Sequence, residues 1–154
     1  MRSSSSFAEK TTVTPERSQA EIMSILRKYG ATKFVNGFDE THAYIMFELS
    51  TRRVRFELPL PDISDFEYTD NGRARKRAQM ISAHEQEIRR RWRALALVIK
   101  AKLEAVSTGI VSFDAEFLAH LVLPDRSTIG ERMLPRLDDV VATGKLPPML
   151  GSGS

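Results

Sequence analysis

The sequence of 154 residues predicts one α+β domain. Its expected order is an N-terminal helix, a three-stranded antiparallel meander, a long amphipathic basic helix packed on the sheet, and one or two short C-terminal helices. Apolar residues recur at helical spacing before residue 30 and again from about residue 78 to residue 107, and two alternating runs lie between them. The composition, 42% hydrophobic and 28% charged, is typical of a soluble globular protein.

The first helix is predicted to begin at Thr14-Pro15. Thr14 is a favourable N-cap, and proline suits the first helical position because its missing N–H is not needed there. Ser18-x-x-Glu21 has capping-box spacing and offers a second start. Gly30 can supply the left-handed exit. The apolar stripe of this helix is Ile22, Ile25, Leu26 and Tyr29.

Three strands are predicted next. The first runs from Lys33 to Phe38 and is interrupted at Asn36-Gly37. The second and third alternate strictly between apolar and polar residues, which is typical of half-buried strands. Folding them about Thr51-Arg52 pairs Leu49 with Val54, Phe47 with Phe56, Ile45 with Leu58 and, on the other face, Glu48 with Arg55. A four-residue loop with the same register is also compatible with the pattern.

Pro59 and Pro61 end the third strand, and an acidic loop reaches Gly72. The long helix is predicted from about Ala78, or from Ser82, to Val106 or Ser107. Its apolar stripe is Ile81, Ile88, Trp92, Leu95, Ile99, Leu103 and Val106, and its opposite face carries Arg89, Arg90, Arg93 and Lys100.

The last third is predicted to hold short helices. Ser112 can cap the first of them, Phe117, Leu118 and Leu121 give it an apolar side, and Pro124 stops it. Thr128-x-x-Glu131 has capping-box spacing and opens another helix, which Pro135 either kinks or restarts. Its inner side is expected to be Leu137, Val140 and Val141, and its end is Gly144.

The chain is therefore divided into a flexible leader (1–13), one domain (14–144) and a mobile tail (145–154). The absence of cysteine excludes disulfides, thiolate zinc sites and cysteine nucleophiles. No apolar run is long enough to span a bilayer, and the N-terminus lacks the apolar core of a secretory signal. A cytoplasmic protein without a membrane partner is expected.

The charge is concentrated in one segment. Residues 73–102 hold ten Lys or Arg and two acids, whereas the rest of the chain has a net charge of −5. The acidic loop before this segment contributes Asp62, Asp65, Glu67 and Asp70. A field of this kind favours a polyanion or an acidic protein surface as the partner. A solvated helix face without a binding role explains the same charge pattern.

Enzymatic motifs are scarce, so no activity, metal or cofactor is predicted. His84-x-x-Glu87 is at best half of a metal site, and Glu116 with His120 is better explained as a surface pair one turn apart. Pro61-Asp62 and Pro124-Asp125 are not followed by the Glu-x-Lys of restriction-type nucleases. There is no Gly-rich phosphate loop and no nucleophile elbow.

Three segments resemble a family of uncharacterised proteins encoded by phages and prophages: FELPLP at 56–61, RWRALALVIKAKLE at 91–104 and EFLAH at 116–120. This resemblance implies a phage context and no catalytic residues. Asp125-Arg126 lies at a turn where glycine is expected, which predicts a distorted loop. The order helix–β–β–β–helix is also that of double-stranded RNA-binding domains, but their characteristic loop residues are not found here.

Two functions are predicted from the basic segment. The first is non-catalytic binding of a DNA or RNA phosphate backbone, since arginine clusters bind phosphates in a salt-sensitive, largely sequence-independent way. The alternative is a protein-interaction module, such as a phage inhibitor or adaptor, that docks on an acidic host protein; an oligomer is compatible with either. Trp92 can stack on a base, although its place in the apolar stripe favours a core position. The candidate binding residues are Arg73, Arg75, Lys76, Arg77, Arg89, Arg90, Arg93 and Lys100, together with Arg53 and Arg55 on the third strand, beside Tyr44.

Overall fold

The computed structural model describes residues 11–148, so most of the predicted leader and the end of the predicted tail lie outside the described residues. It confirms the α+β architecture. The helices are α1 (Pro15–Lys28), α2 (Arg77–Ser107), α3 (Phe113–Phe117), α4 (Ile129–Met133) and α5 (Leu137–Thr143), and the strands are β1 (Thr32–Phe38), β2 (His42–Leu49) and β3 (Arg52–Pro59). Three 3-10 turns, Ile63–Phe66, Leu118–His120 and Leu134–Arg136, complete the secondary structure of this part of the chain.

Helix α1 begins at the first of its two predicted starts. The Thr14 side chain accepts a hydrogen bond from the backbone N–H of Arg17 at 3.2 Å, and Pro15 occupies the first turn. Ser18, the alternative start, is completely buried within the helix. Gly30 follows the C-terminus with a φ of +89°, as the predicted exit requires.

The strands form one antiparallel sheet in the order β1-β2-β3, but the predicted β2-β3 register is wrong by two residues. Leu49 pairs with Arg52, and Phe47 pairs with Val54. The loop is Ser50-Thr51, and both residues have left-handed φ angles of 52° and 64°. A shift of two residues keeps every side chain on its face, so the hydrophobic pattern cannot exclude it.

Strand β1 is irregular at its beginning rather than at the predicted Asn36-Gly37. Its register with β2 shifts between Thr32 and Val35, where Lys33 has a φ of 53°. Asn36 and Gly37 remain paired, with Ile45 and Tyr44 respectively. The irregularity is therefore a bulge near Lys33.

The core lies between one face of the sheet and helices α1 and α2, which confirms that the long helix covers the sheet. Its buried side chains include Ile22 and Leu26 of α1, Ile45, Phe47, Val54 and Phe56 of the strands, and Trp92, Ile99 and Leu103 of α2. The opposite, outer face of the sheet carries polar and charged residues, among them Tyr44, Arg53 and Arg55, at the alternate positions of β2 and β3.

The C-terminal third extends the edge of the sheet. The backbone N–H of Val122 donates to the Arg53 carbonyl at 2.9 Å, and Leu121 forms an isolated bridge with Val54. Ser112 caps α3 and Thr128 with Glu131 caps α4, as predicted. Leu118, predicted on the apolar side of α3, is instead 51% exposed.

Helix α5 does not have the inner side predicted for Leu137, Val140 and Val141. Leu137 and Val141 are exposed, the latter by 78%, and no residue of α5 is buried. Val140 is half-buried, and the 3-10 turn Leu134–Arg136, which contains Pro135, separates α5 from α4, so the two do not form one continuous helix. Gly144 ends the helix with a φ of +72°, as expected.

Candidate nucleic-acid interface

The basic segment is divided by the structure into an exposed part and a part that the fold uses. The exposed part is Arg73, Lys76 and Arg77, which we call the basic cap. All three side chains are exposed, and none forms an ion pair with a described residue. Lys76 is the N-cap residue of α2 and Arg77 is its first residue, so these cations lie at the beginning of the long helix.

The loop before α2 holds the basic cap in place. The backbone N–H of Thr69 donates to the Arg73 carbonyl at 2.8 Å, and the Arg73 N–H donates to the Thr69 hydroxyl at 3.1 Å. The Arg75 guanidinium donates to the Tyr68 carbonyl at 2.9 Å and to the Phe66 carbonyl at 3.3 Å. Arg75 therefore serves the loop, although it was predicted as a binding residue.

The acidic residues of this loop have local roles. The Asp62 carboxylate caps the turn Ile63–Phe66, and its pKa lies below the ordinary value because the side chain and backbone of Ser64 donate hydrogen bonds to it. Asp65 accepts the Asp62 N–H at 3.1 Å. Glu67 and Asp70 are exposed and form no ion pair within residues 11–148, so part of the loop charge stays beside the basic cap.

The arginines in the middle of α2 are half-buried and have partners, which differs from the solvated helix face considered as the alternative explanation of the charge pattern. Arg89 donates to Gln86 at 2.8 Å, and Arg90 binds Glu87 through two bonds of 2.8 and 2.6 Å. Arg93 reaches across to Glu21 of α1 at 2.5 Å. These predicted binding residues therefore stabilise the helix and its packing.

Glu87 is the centre of this network. Arg91, which was not among the predicted residues, also donates to Glu87 at 3.0 Å and to the Pro59 carbonyl at 2.5 Å. The pKa of Glu87 is lowered by the hydrogen bond from Arg90 and then by that from Arg91, against the opposing effect of burial. One carboxylate thus offsets one of the two positive charges and holds both guanidiniums against the helix.

Trp92 and Lys100 of α2 differ in exposure. Trp92 is 4% exposed within the core, which leaves no ring face for a base. Lys100 is exposed and forms no ion pair with a residue in the described range. Among the predicted cations of α2, Lys100 and the basic cap are those that remain open to solvent.

The predicted sheet residues are separated from α2 by the core. Arg53 pairs with Glu48 at 3.0 Å, and Lys33 contacts the same carboxylate at 3.1 Å. Arg55 donates to Glu131 at 2.5 Å and to the Arg126 carbonyl at 2.6 Å. The helix patch and the sheet patch are therefore not contiguous through the core face of the sheet.

The histidines have structural contacts. The Nε2 atom of His84 lies 2.8 Å from the Pro61 carbonyl oxygen, and Glu87 is occupied by arginines. His120 stacks on Phe56 at 4.1 Å between ring centroids, and Glu116 pairs with Lys102 at 3.2 Å instead of with His120. Residues 11–148 contain no group of three His, Asp or Glu side chains placed to hold a metal ion.

Sequence reasoning did not identify Arg126 as a candidate. It lies in a turn closed by two backbone hydrogen bonds. The Leu123 N–H donates to the Ser127 carbonyl at 2.7 Å, and the Arg126 N–H donates to the Leu123 carbonyl at 2.9 Å. The φ of Arg126 is 70°, the left-handed conformation for which glycine was expected. The turn is therefore regular, and Arg126 alone carries the energetic cost of that conformation. The signal that could have identified Arg126 was its place in a turn where glycine is expected.

No protein-family model, curated protein or solved structure matches this chain. Along the described residues, no helix has the length and apolar character needed to cross a membrane.

Proposed function

We propose that this chain is a small, non-catalytic accessory protein of phage type, acting in the cytoplasm, that binds the phosphate backbone of nucleic acid through the basic cap. The observation that carries the proposal is the presence of three exposed cations within five residues, none in an ion pair with another described residue, at the start of a 31-residue helix. The α2 arginines with internal partners are placed outside this interface.

We assign the interface to the basic cap because its side chains are available to a phosphate. Phosphate binding releases counterions from the nucleic acid, and each cation contributes only if it can approach a phosphate. Arg93 would have to leave Glu21, and Arg90 would have to leave Glu87, which offsets the gain. Within residues 11–148 the basic cap has no such ion pair to break, and the first-turn amides of α2 add partial positive charge at the same end of the helix.

The experiment is a fluorescence anisotropy titration with labelled single- and double-stranded DNA and RNA at low salt. The combined variant Arg73→Ala, Lys76→Ala, Arg77→Ala should weaken binding by roughly tenfold or more. Arg17→Ala, Arg27→Ala, Arg136→Ala is the matched control, because it removes the same charge from exposed positions elsewhere and should change affinity less than threefold. Equal losses in both triple variants would refute a role specific to the basic cap.

A second candidate function, a protein-interaction module, is favoured by one observation. An apolar groove of about 350 Å³ lies on the C-terminal part, lined by Leu118, Ala119, Ile129, Gly130, Met133, Leu134 and Leu146. Leu134 and Leu146 are exposed although they are large and apolar. Exposed apolar patches of this kind mark protein interfaces more often than random surface does.

The two candidates are separated by salt and by substitution. Binding of a protein through the groove should persist at moderate salt and be lost in Leu134→Asp. Phosphate binding should be lost at moderate salt and persist in Leu134→Asp. The measurement is capture of a defined partner by the wild-type protein, by the basic-cap triple variant and by Leu134→Asp. A partner lost only in the basic-cap variant would contradict the groove and indicate electrostatic docking on an acidic protein.

A further inference from the structure

The outer face of the sheet contains a cavity that neither the predicted helix patch nor the core uses. Its volume is about 500 Å³, within the range of small-ligand sites. Tyr44 and Met46 of β2 and Val122 of the C-terminal segment supply its apolar lining. Its charged lining consists of three guanidiniums, Arg53, Arg55 and Arg126, and one carboxylate, Glu57.

The Tyr44 ring lies against Gly37, its cross-strand partner on β1. A Cβ atom at Gly37 would lie 2.5 Å from the ring carbon Cζ and from the hydroxyl oxygen of Tyr44, so only glycine allows the ring to lie there. The φ of Gly37 is not in the left-handed region, so close approach of the ring is the reason for glycine. Tyr44 remains 37% exposed and lines the cavity, which is the arrangement of a stacking platform.

The three arginines that line the cavity differ in how firmly other residues hold their side chains. Arg55 is fixed by Glu131 and by the Arg126 carbonyl, so it builds the wall. Arg53 is about half exposed and shares Glu48 with Lys33, which leaves one uncompensated positive charge in that trio. Arg126 is exposed and forms no ion pair with any described residue, while its backbone is fixed by the turn and by Arg55.

We propose that this cavity binds one nucleotide of a single-stranded nucleic acid, with the base on Tyr44 and Met46 and the phosphate between Arg53 and Arg126. The inference rests on the proposed function and deepens it, because it names single strands as the preferred substrate. A stacked base needs one free π-face, which a duplex does not offer except at its ends. The apolar lining and the net positive rim match the two halves of a nucleotide.

Arg126→Gly is the sharpest variant. Glycine adopts a φ of 70° without steric cost, so this change should leave the melting temperature unchanged or raise it while it removes the cation. Affinity for a labelled 12-mer of thymidylate should fall several-fold, and affinity for a blunt duplex of the same length should change less than twofold. A residue with a merely structural role would not separate stability from affinity in this way.

Two substitutions on the base side complete the test. Tyr44→Ala should weaken single-strand binding by about 5- to 100-fold, while Tyr44→Phe should retain it. Gly37→Ala should also weaken it, because the added methyl displaces the Tyr44 ring without removing it. Melting curves of each variant show whether the protein remains folded.

Three outcomes separate this inference from the proposed function. Loss of single-strand affinity in Tyr44→Ala and Arg126→Gly, with duplex binding retained, supports the cavity. Unchanged single-strand affinity in both variants overturns it, even if the basic-cap variant shows that phosphate binding stands. Binding of thymidine monophosphate alone, with no binding of either 12-mer, overturns it as well and indicates a free-nucleotide site.

Discussion

His120 shows how a single half-buried group makes stability depend on pH. Burial against Phe56 and the positive charge of Lys102 lower its pKa below the ordinary value of 6.5, although a hydrogen bond to the Arg55 backbone acts in the opposite direction. The unfolded chain therefore takes up a proton at higher pH than the folded chain does. The contribution of His120 to stability is then full above the unfolded pKa and is lost as the pH falls from that value through the lower folded pKa.

We expect the free energy of unfolding to decrease between pH 7.5 and pH 5.5 and expect His120→Phe to reduce this dependence. Phenylalanine retains the stacking on Phe56 but cannot be protonated. Urea denaturation of wild type and of His120→Phe at both pH values measures the effect. An equal slope in wild type and His120→Phe would show that His120 does not cause it.

For single residues, the sequence predicts helix N-caps well and ion pairs poorly. Thr14, Ser112 and Thr128 cap helices within three residues, so local spacing reveals them. Arg93 and Glu21 are 72 residues apart, and nothing in local spacing indicates that they meet. Whether an arginine is available for phosphate is therefore a property of the fold.

The β2-β3 hairpin carries two non-glycine residues in the left-handed conformation, Ser50 and Thr51. Such residues cost roughly 1 kcal/mol each, and Asn-Gly is the preferred pair for a two-residue loop with positive φ at both positions. We expect Ser50→Asn combined with Thr51→Gly to stabilise the protein by about 1–2 kcal/mol. Thermal unfolding followed by circular dichroism measures it, and an unchanged or lower melting temperature would contradict the assigned loop.

This hairpin also shows the limit of pattern-based register. The alternation of apolar residues correctly assigns Phe47 and Val54 to the buried face. It cannot distinguish registers that differ by two residues, and the turn sequence Ser-Thr gives no strong signal. The register becomes visible only when the φ angles of the loop are known.

The middle of helix α2 holds side chains that stabilise the fold, and we assign the proposed phosphate binding only to its beginning. We expect Arg93→Ala to lower stability by about 1 kcal/mol or more, since it removes a half-buried ion pair between α1 and α2 and leaves Glu21 without a partner. Its effect on nucleic-acid affinity should be less than twofold. Lys100→Ala, at an exposed position of the same helix without an ion pair, should leave stability unchanged, and urea denaturation compares the two.

A large loss of affinity in folded Arg93→Ala, with stability unchanged, would reverse this assignment. It would mean that Arg93 leaves Glu21 for a phosphate in the complex. The middle of α2 would then belong to the interface.

For the whole molecule, the net charge of +3 understates how the charge is organised. Six of the ten predicted cations have internal partners. The basic cap and Lys100 form no ion pair with a described residue, and Arg126, which was not predicted, lies beside a cavity on the outer sheet face. Composition predicts a basic segment and the element order predicts the sheet with its covering helix. The two separate surfaces depend on contacts between distant residues, which the sequence alone does not show.

The most direct test of the central claim is the salt dependence of duplex binding, measured as the slope of log K against log salt concentration. Each phosphate contact contributes about 0.9 to this slope, so removing the basic cap should make it shallower by roughly 2.7. The control Arg17→Ala, Arg27→Ala, Arg136→Ala should keep the wild-type slope. A wild-type protein that binds no nucleic acid at low salt, or a basic-cap variant with the wild-type slope, would contradict the account.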